Sequence, residues 1–352
     1  MKFDLSEDQD LLRRSTRDFL ANEYPIEQNR KIMEQDPRGY EPAAWQRLAE
    51  MGYLGLTLPA TVGGQALGTV ELAVVLEEMG RACVPGPYLD VALAAALIAA
   101  AGGDQHAALL ADVVAGRAIV TVARLVAPYS GAAPTPLRAD VGRLRGRKYF
   151  VPFAASAQAL VVTTVDGLHL VDGPFRPTPL TTFDPAQRFG EVALDHPARP
   201  LGPATLLARH DALAAVGAGA MLLGIMTRAL EMTLSYVQTR EAFRRPIGAF
   251  QALQHRLADA LLRVESTRSA VYRAAWCLDA GDPDAPLAAA TAKAYAGDAA
   301  RLVCGEAIQM HGGIGFTWEL DLHFYFKRAK TLELHYGATG DQLERALVAA
   351  GL

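Results

Sequence analysis

Cysteine is scarce in this chain: Cys83, Cys277 and Cys304 stand far apart among 352 residues. They form neither a C-x-x-C pair nor a disulfide framework, which fits a reducing compartment, and a cytoplasmic location is expected. Neither sign of charge dominates. Lys and Arg number 34 against 38 Asp and Glu, a formal net charge of −4, so nothing suggests a nucleic-acid surface. The first ten residues are acidic where a signal peptide would be apolar. The longest apolar runs, 91–103 and 212–226, fall short of the ~20 residues of a bilayer span. Both are rich in small residues and read as buried helices. Several motifs are missing as well. No G-x-G-x-x-G opens a βαβ unit and no Walker loop is present. The absence of H-E-x-x-H removes support for zinc hydrolysis, and no metal site is expected. There is no G-x-S-x-G nucleophile elbow. A flavin or nucleotide must therefore be held by something other than a Rossmann turn.

What is present is an ordinary globular composition, 51% hydrophobic and 20% charged, enough for a large core spread over two or three domains. The first stretch reads as helical. Ser6 with Gln9 makes a capping box, and Leu12, Thr16, Phe19 and Leu20 follow at helical spacing. Further helices are expected over 42–51, 70–80 and 91–101, with a turn-rich loop at 58–64. Near Ala118 the character changes. Short β-favouring runs at 118–125, 149–153, 159–165, 168–171 and 189–194, separated by Gly, Asp and Pro, argue a small antiparallel domain ending near Pro203. From Leu206 the pattern is helical again. Leu253, Leu257, Leu261 and Val264 form an apolar stripe, and the Asp-Pro-Asp-Ala-Pro break at 282–286 divides two helices of a bundle. The expected fold class is α+β and mainly α: a helical domain over 1–117, a β domain over 118–203 and a helical bundle over 204–352.

Two turns of the last domain have the chemistry of cofactor contacts. In 239–251, Arg240 precedes a turn and offers a fork of donors suited to a pyrophosphate. Phe243 and Phe250 either flank a ring or pack the turn, and Gln251 carries both donor and acceptor. The alternative is a solvated helix end with Arg240, Arg244 and Arg245 near the C-terminal dipole. In 309–316, Gly312, Gly313 and Gly315 let the backbone approach a phosphate or adenine closely. Alone, this stretch also fits an ordinary glycine-rich break.

Together these segments resemble the acyl-CoA dehydrogenase family. Arg240-x-x-Phe243, Pro246-Ile247, Phe250-Gln251, His255 and Ala258-Asp259 are similar to one signature of the family. Residues 309–317 with Trp318-Glu319, Asp321-Leu322 and Tyr325 to Ala329 are similar to the other. Leu58-Pro59, Gly63-Gly64 and Glu77 to Arg81 add to the resemblance, which spans nearly the whole chain. It implies an N-terminal helical domain, a middle β domain and a C-terminal four-helix bundle. It also implies FAD, contacted by Arg240, Phe243, Phe250, Gln251, Gln309, Gly312, Gly313, Thr339 and Gln342, with some contacts reaching the flavin of a neighbouring subunit. An acyl-CoA thioester is the implied substrate and an electron-transfer flavoprotein the implied electron acceptor. Arg244 departs from the pattern, where the family usually has Gly.

The other departure is the catalytic base. Oxidising a thioester at Cα–Cβ takes a base for the α proton, a flavin for the β hydride and hydrogen bonds to the carbonyl. In the family the base is a Glu in the loop before the last helix. Here that loop is 335–341, two residues longer. Counted from Lys330 the base position falls on Tyr336, and counted back from Arg345 it falls on Ala338. Tyr is a very weak base near neutral pH. Other members keep the Glu on the first bundle helix, where this chain has Ala214. Asp211 lies one turn earlier and is the only nearby acid there, either a substitute base or a residue stabilising the helix start. Glu333, the other acid close to the loop, reads as solvated or ion-paired. The middle domain departs too. A Thr-Glu-Pro-x-x-Gly-Ser run is replaced by residues 123–131, and Lys-x-Trp-Ile-Thr by Lys148-Tyr149-Phe150-Val151-Pro152, which keeps a ring in Phe150 but loses a hydroxyl and an N–H at Pro152.

These departures lead to three expectations. One is a subunit of a heterotetramer, of the α2β2 kind that some bacterial members acting on bulky or steroid-derived CoA esters form, completing the FAD site of a partner that carries the Glu. Another is a self-sufficient homo-oligomer using an unusual base. The third is a non-catalytic paralogue that binds a CoA ester or partner helices.

Overall fold

The computed structural model describes residues 4–127 and 135–352. The N-terminal helices are α1 Glu7–Glu23, α2 Ile26–Gln35, α3 Pro42–Glu50, α4 Thr69–Arg81, α5 Tyr88–Ala100 and α6 Ala107–Val114. Strands follow: β1 Val120–Ala123, β2 Ala139–Asp140, β3 Arg143–Pro152, β4 Ala159–Thr164, β5 Gly167–Asp172, β6 Thr178–Leu180, β7 Phe189–Pro197 and β8 Arg199–Gly202. The last segment holds α7 Leu206–Thr239, a hairpin of β9 Glu241–Ala242 and β10 Arg245–Pro246, then α8 Gln251–Ala280, α9 Ala285–His311, α10 Leu322–Leu334 and α11 Thr339–Ala349.

The chain divides into two compact units. The first comprises 1–30, 69–84 and 212–352. In it α1 starts as the sequence dictates: Gln9 N–H donates to Ser6 Oγ at 3.2 Å, and Ser6 N–H donates to Gln9 Oε1 at 2.9 Å. Helices α4 and α7 touch backbone to backbone. A Cβ on Gly224 would lie 1.8 Å from the Glu77 carbonyl oxygen, and one on Gly80 would lie 2.1 Å from that of Met221. Glu77 and Glu78 then tie α4 to its neighbours. Glu77 accepts from Arg268 and from the Tyr272 hydroxyl at 2.6 Å, while Glu78 accepts from Arg17 at 2.7 and 2.9 Å. Around them a cavity of about 230 Å³ is lined by Arg13, Arg17, Glu77, Arg81, Glu231 and Arg268. The alanine-rich α9 carries contacts to α8, α10 and α11. The apolar stripe predicted on α8 is core-facing only in part: Val264 is buried, Leu253 and Leu257 are half-buried, and Leu261 is 52% exposed. Helix α7 is long and apolar enough to cross a membrane, but 83% of its apolar window is buried in the protein, as in a core helix.

The second unit comprises 31–68 and 85–211. Two four-stranded sheets, ordered β1-β4-β5-β8 and β2-β3-β7-β6, share a core that includes Leu144, Val151, Leu160, Val162, Val171 and Val192. The predicted antiparallel domain needs one correction. β1 pairs with β4 in parallel, Val120 opposite Ala159. The long connection that runs through β2 and β3 lets the chain re-enter beside β1 in the same direction. β3 also begins earlier than predicted, at Arg143, because its charged first half lacks the apolar signature of a strand.

Candidate cofactor contacts and the loop without a base

The first predicted turn forms a tight hairpin between α7 and α8. Ala242 pairs with Arg245, leaving Phe243 and Arg244 as a two-residue connection. Their φ values are +55° and +66°, a type I′ geometry whose right-handed twist suits a hairpin. The two aromatic rings separate in role. Phe250 packs the turn, with the Arg245 guanidinium 4.1 Å above its ring. Phe243 meets it only edge-on at 6.1 Å and is 89% exposed. Arg240 and Gln251 are exposed. The Arg240 carbonyl receives the Ile247 N–H at 2.8 Å, which closes the turn.

The second predicted turn lies beside the first. The Tyr236 hydroxyl, on the last turn of α7, donates to the His311 carbonyl at 3.3 Å, and the two rings stack at 4.3 Å. Burial holds the His311 imidazole below its usual pKa. Gly312 follows with φ +62° and ψ −138°, a conformation that favours glycine. A Cβ on Gly312 or Gly313 would meet nothing within 4 Å, so the surface above them is open. The Gly312 N–H itself is taken by the Gln309 carbonyl. Gly312 therefore contributes room and not a donor. The Gln309 side chain is exposed.

Thr339 and Gln342 belong elsewhere. Thr339 Oγ1 would be 3.3 Å from a Cβ on Gly297, and Gly297 to His311 along α9 is about 21 Å at 1.5 Å per residue. The predicted cofactor residues thus form two groups, one at the C-terminal end of α9 and one near its middle. In the second group Thr339 Oγ1 is buried without a hydrogen-bond partner. Gln342 is buried and donates to the Tyr336 carbonyl at 2.8 Å.

The loop between α10 and α11 carries no carboxylate at either base position. Tyr336 has φ +64°. Ala338 caps α11 through its backbone, its N–H donating to Asp341 Oδ2 at 2.9 Å; alanine has no side-chain acceptor to complete the box. Lys293 pins the loop from α9, its Nζ donating to the carbonyls of Glu333 at 3.1 Å and Gly337 at 3.2 Å. Burial pushes this ammonium down to about 8. The Glu333 carboxylate is held by Lys330 at 2.9 Å and Arg301 at 3.5 Å, the ion-paired role expected of it. Ala214 is buried.

In the second unit, Asp211 is held by Arg124 through both carboxylate oxygens, Arg124 Nη2 to Oδ2 at 2.9 Å, with His210 Nδ1 3.2 Å from Oδ1. Both carboxylate oxygens are thus engaged by the guanidinium fork. No local pattern links Arg124 and Asp211 in the sequence. Arg124 also anchors Lys148: Lys148 Nζ donates to the Arg124 carbonyl at 2.9 Å and to Thr163 Oγ1 at 3.0 Å. Phe150 has φ +49° at a bulge in β3 and meets Phe189 edge-on at 6.1 Å. Residues 128–131 of the altered middle-domain run lie outside the described residues.

Helices, then two small sheets, then a helical bundle with two adjoining signature turns define the acyl-CoA dehydrogenase class. The sequence matches the acyl-CoA dehydrogenase N-terminal domain over residues 6–117 and the C-terminal domain over 212–352. It is 34% identical over 325 residues to acyl-CoA dehydrogenase IpdE2 of Mycobacterium tuberculosis, covering 92% of this chain and 91% of that protein. A solved structure of the steroid ACAD Tcur3481-Tcur3483 superposes with a TM-score of 0.90 at 31% identity, over 98% of each chain. The ChsE4-ChsE5 complex from Mycobacterium tuberculosis gives 0.90 at 28% identity, over 100% of this chain and 99% of that one. The chain belongs to the acyl-CoA dehydrogenase family, oxidoreductases that act on CH–CH donors. The family implies FAD. The residues present fit that group: exposed Arg240, the open surface over Gly312 and Gly313, and the unsatisfied hydroxyl of Thr339 are features a polar dinucleotide would fill.

Proposed function

We propose that this chain is a subunit of an FAD-dependent acyl-CoA dehydrogenase, completing the flavin site of a homologous partner chain that carries the catalytic glutamate. One observation carries the proposal. Tyr336, Ala338 and Ala214 leave every family base position without a carboxylate, while the turns at 239–251 and 309–316 keep their contact residues. Supporting it, Asp211 is held in an ion pair with Arg124, and the solved relatives named above include two-chain assemblies, one described as a steroid ACAD.

FAD, when bound, supplies acceptance of the β hydride, and the partner's glutamate would take the α proton. This chain's part is to hold and orient. Arg240 would hold the pyrophosphate, Phe243 and Gln251 would line the dinucleotide, and Gln309, Gly312 and Gly313 would bound it. Thr339 and Gln342 serve from the second group. The substrate is then a bulky or steroid-derived acyl-CoA thioester, the assembly an α2β2 heterotetramer in the cytoplasm, and the electron acceptor an electron-transfer flavoprotein. The domains of this subunit are 1–117, 118–203 and 204–352.

The test is to purify the chain alone and co-expressed with a homologous acyl-CoA dehydrogenase chain, then record the visible flavin spectrum and turnover. Flavin retention and turnover are expected only with the partner. Full flavin occupancy and turnover by the chain alone overturn the proposal.

A further inference from the structure

The β9–β10 hairpin rests on two residues poorly suited to its turn. A type I′ connection needs φ > 0 at both positions, and Asn-Gly or Asp-Gly is its usual filling. Here Phe243 and Arg244 stand at +55° and +66°, where a Cβ crowds the following carbonyl. Neither side chain recovers the cost within the chain. Phe243 is almost wholly exposed, and Arg244 is exposed and makes no hydrogen bond or ion pair among the described residues. Its neighbour Arg245 does find a partner, the Phe250 ring. Among the described residues the Arg240 guanidinium has none, and Glu241, the one acid of the hairpin, pairs with neither. The strained tip therefore carries an exposed, unneutralised guanidinium on the same turn as Arg240, and the end of α7 that leads into this turn touches α9 at His311, next to Gly312.

We propose that Arg244 is a phosphate-binding residue, adding a second guanidinium to that of Arg240. The proposal rests on the assignment of this end of the chain as a dinucleotide contact, and deepens it. Strain held at an exposed position points to a partner outside the chain. The planar fork of donors matches a phosphoryl group. The family's usual glycine would relieve the turn but supply no charge. Two molecules of this chemistry carry such groups: FAD through its pyrophosphate, and CoA through its diphosphate and 3′-phosphate.

The experiment compares Arg244→Gly, Arg244→Lys and Arg240→Gln in the co-expressed complex, with FAD titrated by absorbance and free CoA by calorimetry. With flavin removed, Arg244→Gly should raise the melting temperature by about 2–4 °C, since glycine removes the strain. The same variant should weaken one of the two ligands about tenfold or more, with a shallower salt dependence. Arg244→Lys should recover part of the affinity and none of the stability. Loss confined to FAD assigns the pyrophosphate; loss confined to CoA assigns the CoA phosphates. Unchanged affinity for both ligands, or a lower melting temperature of Arg244→Gly in the flavin-free complex, overturns the proposal. Arg240→Gln separates a misassigned Arg244 from a misassigned dinucleotide contact. If it weakens FAD while Arg244→Gly weakens nothing, only Arg244 is misassigned. If it too leaves FAD binding intact, the dinucleotide contact itself fails.

Discussion

At the scale of single residues, Lys148 shows how a buried charge turns into a pH effect. Its side chain is wholly buried in β3 and donates to neutral oxygens of Arg124 and Thr163. Burial, with Arg124 adding to it, pushes the ammonium down to about 8. The unfolded value is about 10.4, so between these two limits the unfolded chain binds more protons than the folded one. Stability contributed by this group therefore rises as pH climbs from about 8 to about 10. Lys148→Met should flatten that rise by an amount on the order of 2–3 kcal/mol, read from urea unfolding at pH 7.5 and 10. An unaltered slope would show that the lysine reaches solvent. In the sequence, Lys148 was legible only as part of a motif, because its strand neighbours Arg145 and Arg147 are exposed and hide the buried position. The pairing of Arg124 with Asp211 was illegible for another reason: ion pairs between distant segments leave no local pattern.

At the scale of elements, two glycines in helices predict opposite outcomes. Alanine is favoured over glycine in a helix by about 1 kcal/mol. Gly340, in the first turn of α11, has nothing within 4 Å of a new Cβ, so Gly340→Ala should stabilise by up to that amount. At Gly224 the new atom would fall 1.8 Å from the Glu77 backbone. The clash is with a helix main chain that cannot rotate away, so overpacking outweighs propensity. Gly224→Ala should cost about 2 kcal/mol or more. Thermal melts of both variants check the pair, and equal shifts would refute the close α4–α7 crossing. Much of this level was readable. The capping box of α1, the Pro42 start of α3 and the stretch of α4 follow from local rules. β2, β6 and β8 escaped because they are short and polar or proline-bearing, and the parallel β1–β4 pair because pairing partners far apart leave no local signature.

At the scale of the whole molecule, the apolar positions left outside are informative. Leu261 and Leu262 on α8 are 52% and 66% exposed, and Leu343, Leu347 and Val348 on α11 are exposed as well. The periodicity of α8 was correct as a helix signal, yet it did not distinguish a side facing this chain's core from one left uncovered. On the proposed function that side of α8 packs against another subunit. Leu261→Asp with Leu262→Asp should leave the melting temperature of the isolated chain within a few degrees, since exposed sites contribute little to folding. The same double variant should lose co-sedimentation with the partner chain. Retained co-sedimentation would exclude this side of α8 as a contact. The family itself was legible because its signature turns are contiguous stretches. The spread of the cofactor residues along α9 was not, since it depends on how far each helix extends before it turns.

The loop at Tyr336 also bears on the history of the chain. A glutamate placed there would inherit a left-handed backbone, in a loop tied by Lys293 and Gln342 through its carbonyls. Recovering a working base there would, on the proposed function, take a substitution together with rearrangement of both ties. On the proposed function, reliance on a second gene product is thus an entrenched condition, and the two genes are expected to be inherited or lost together.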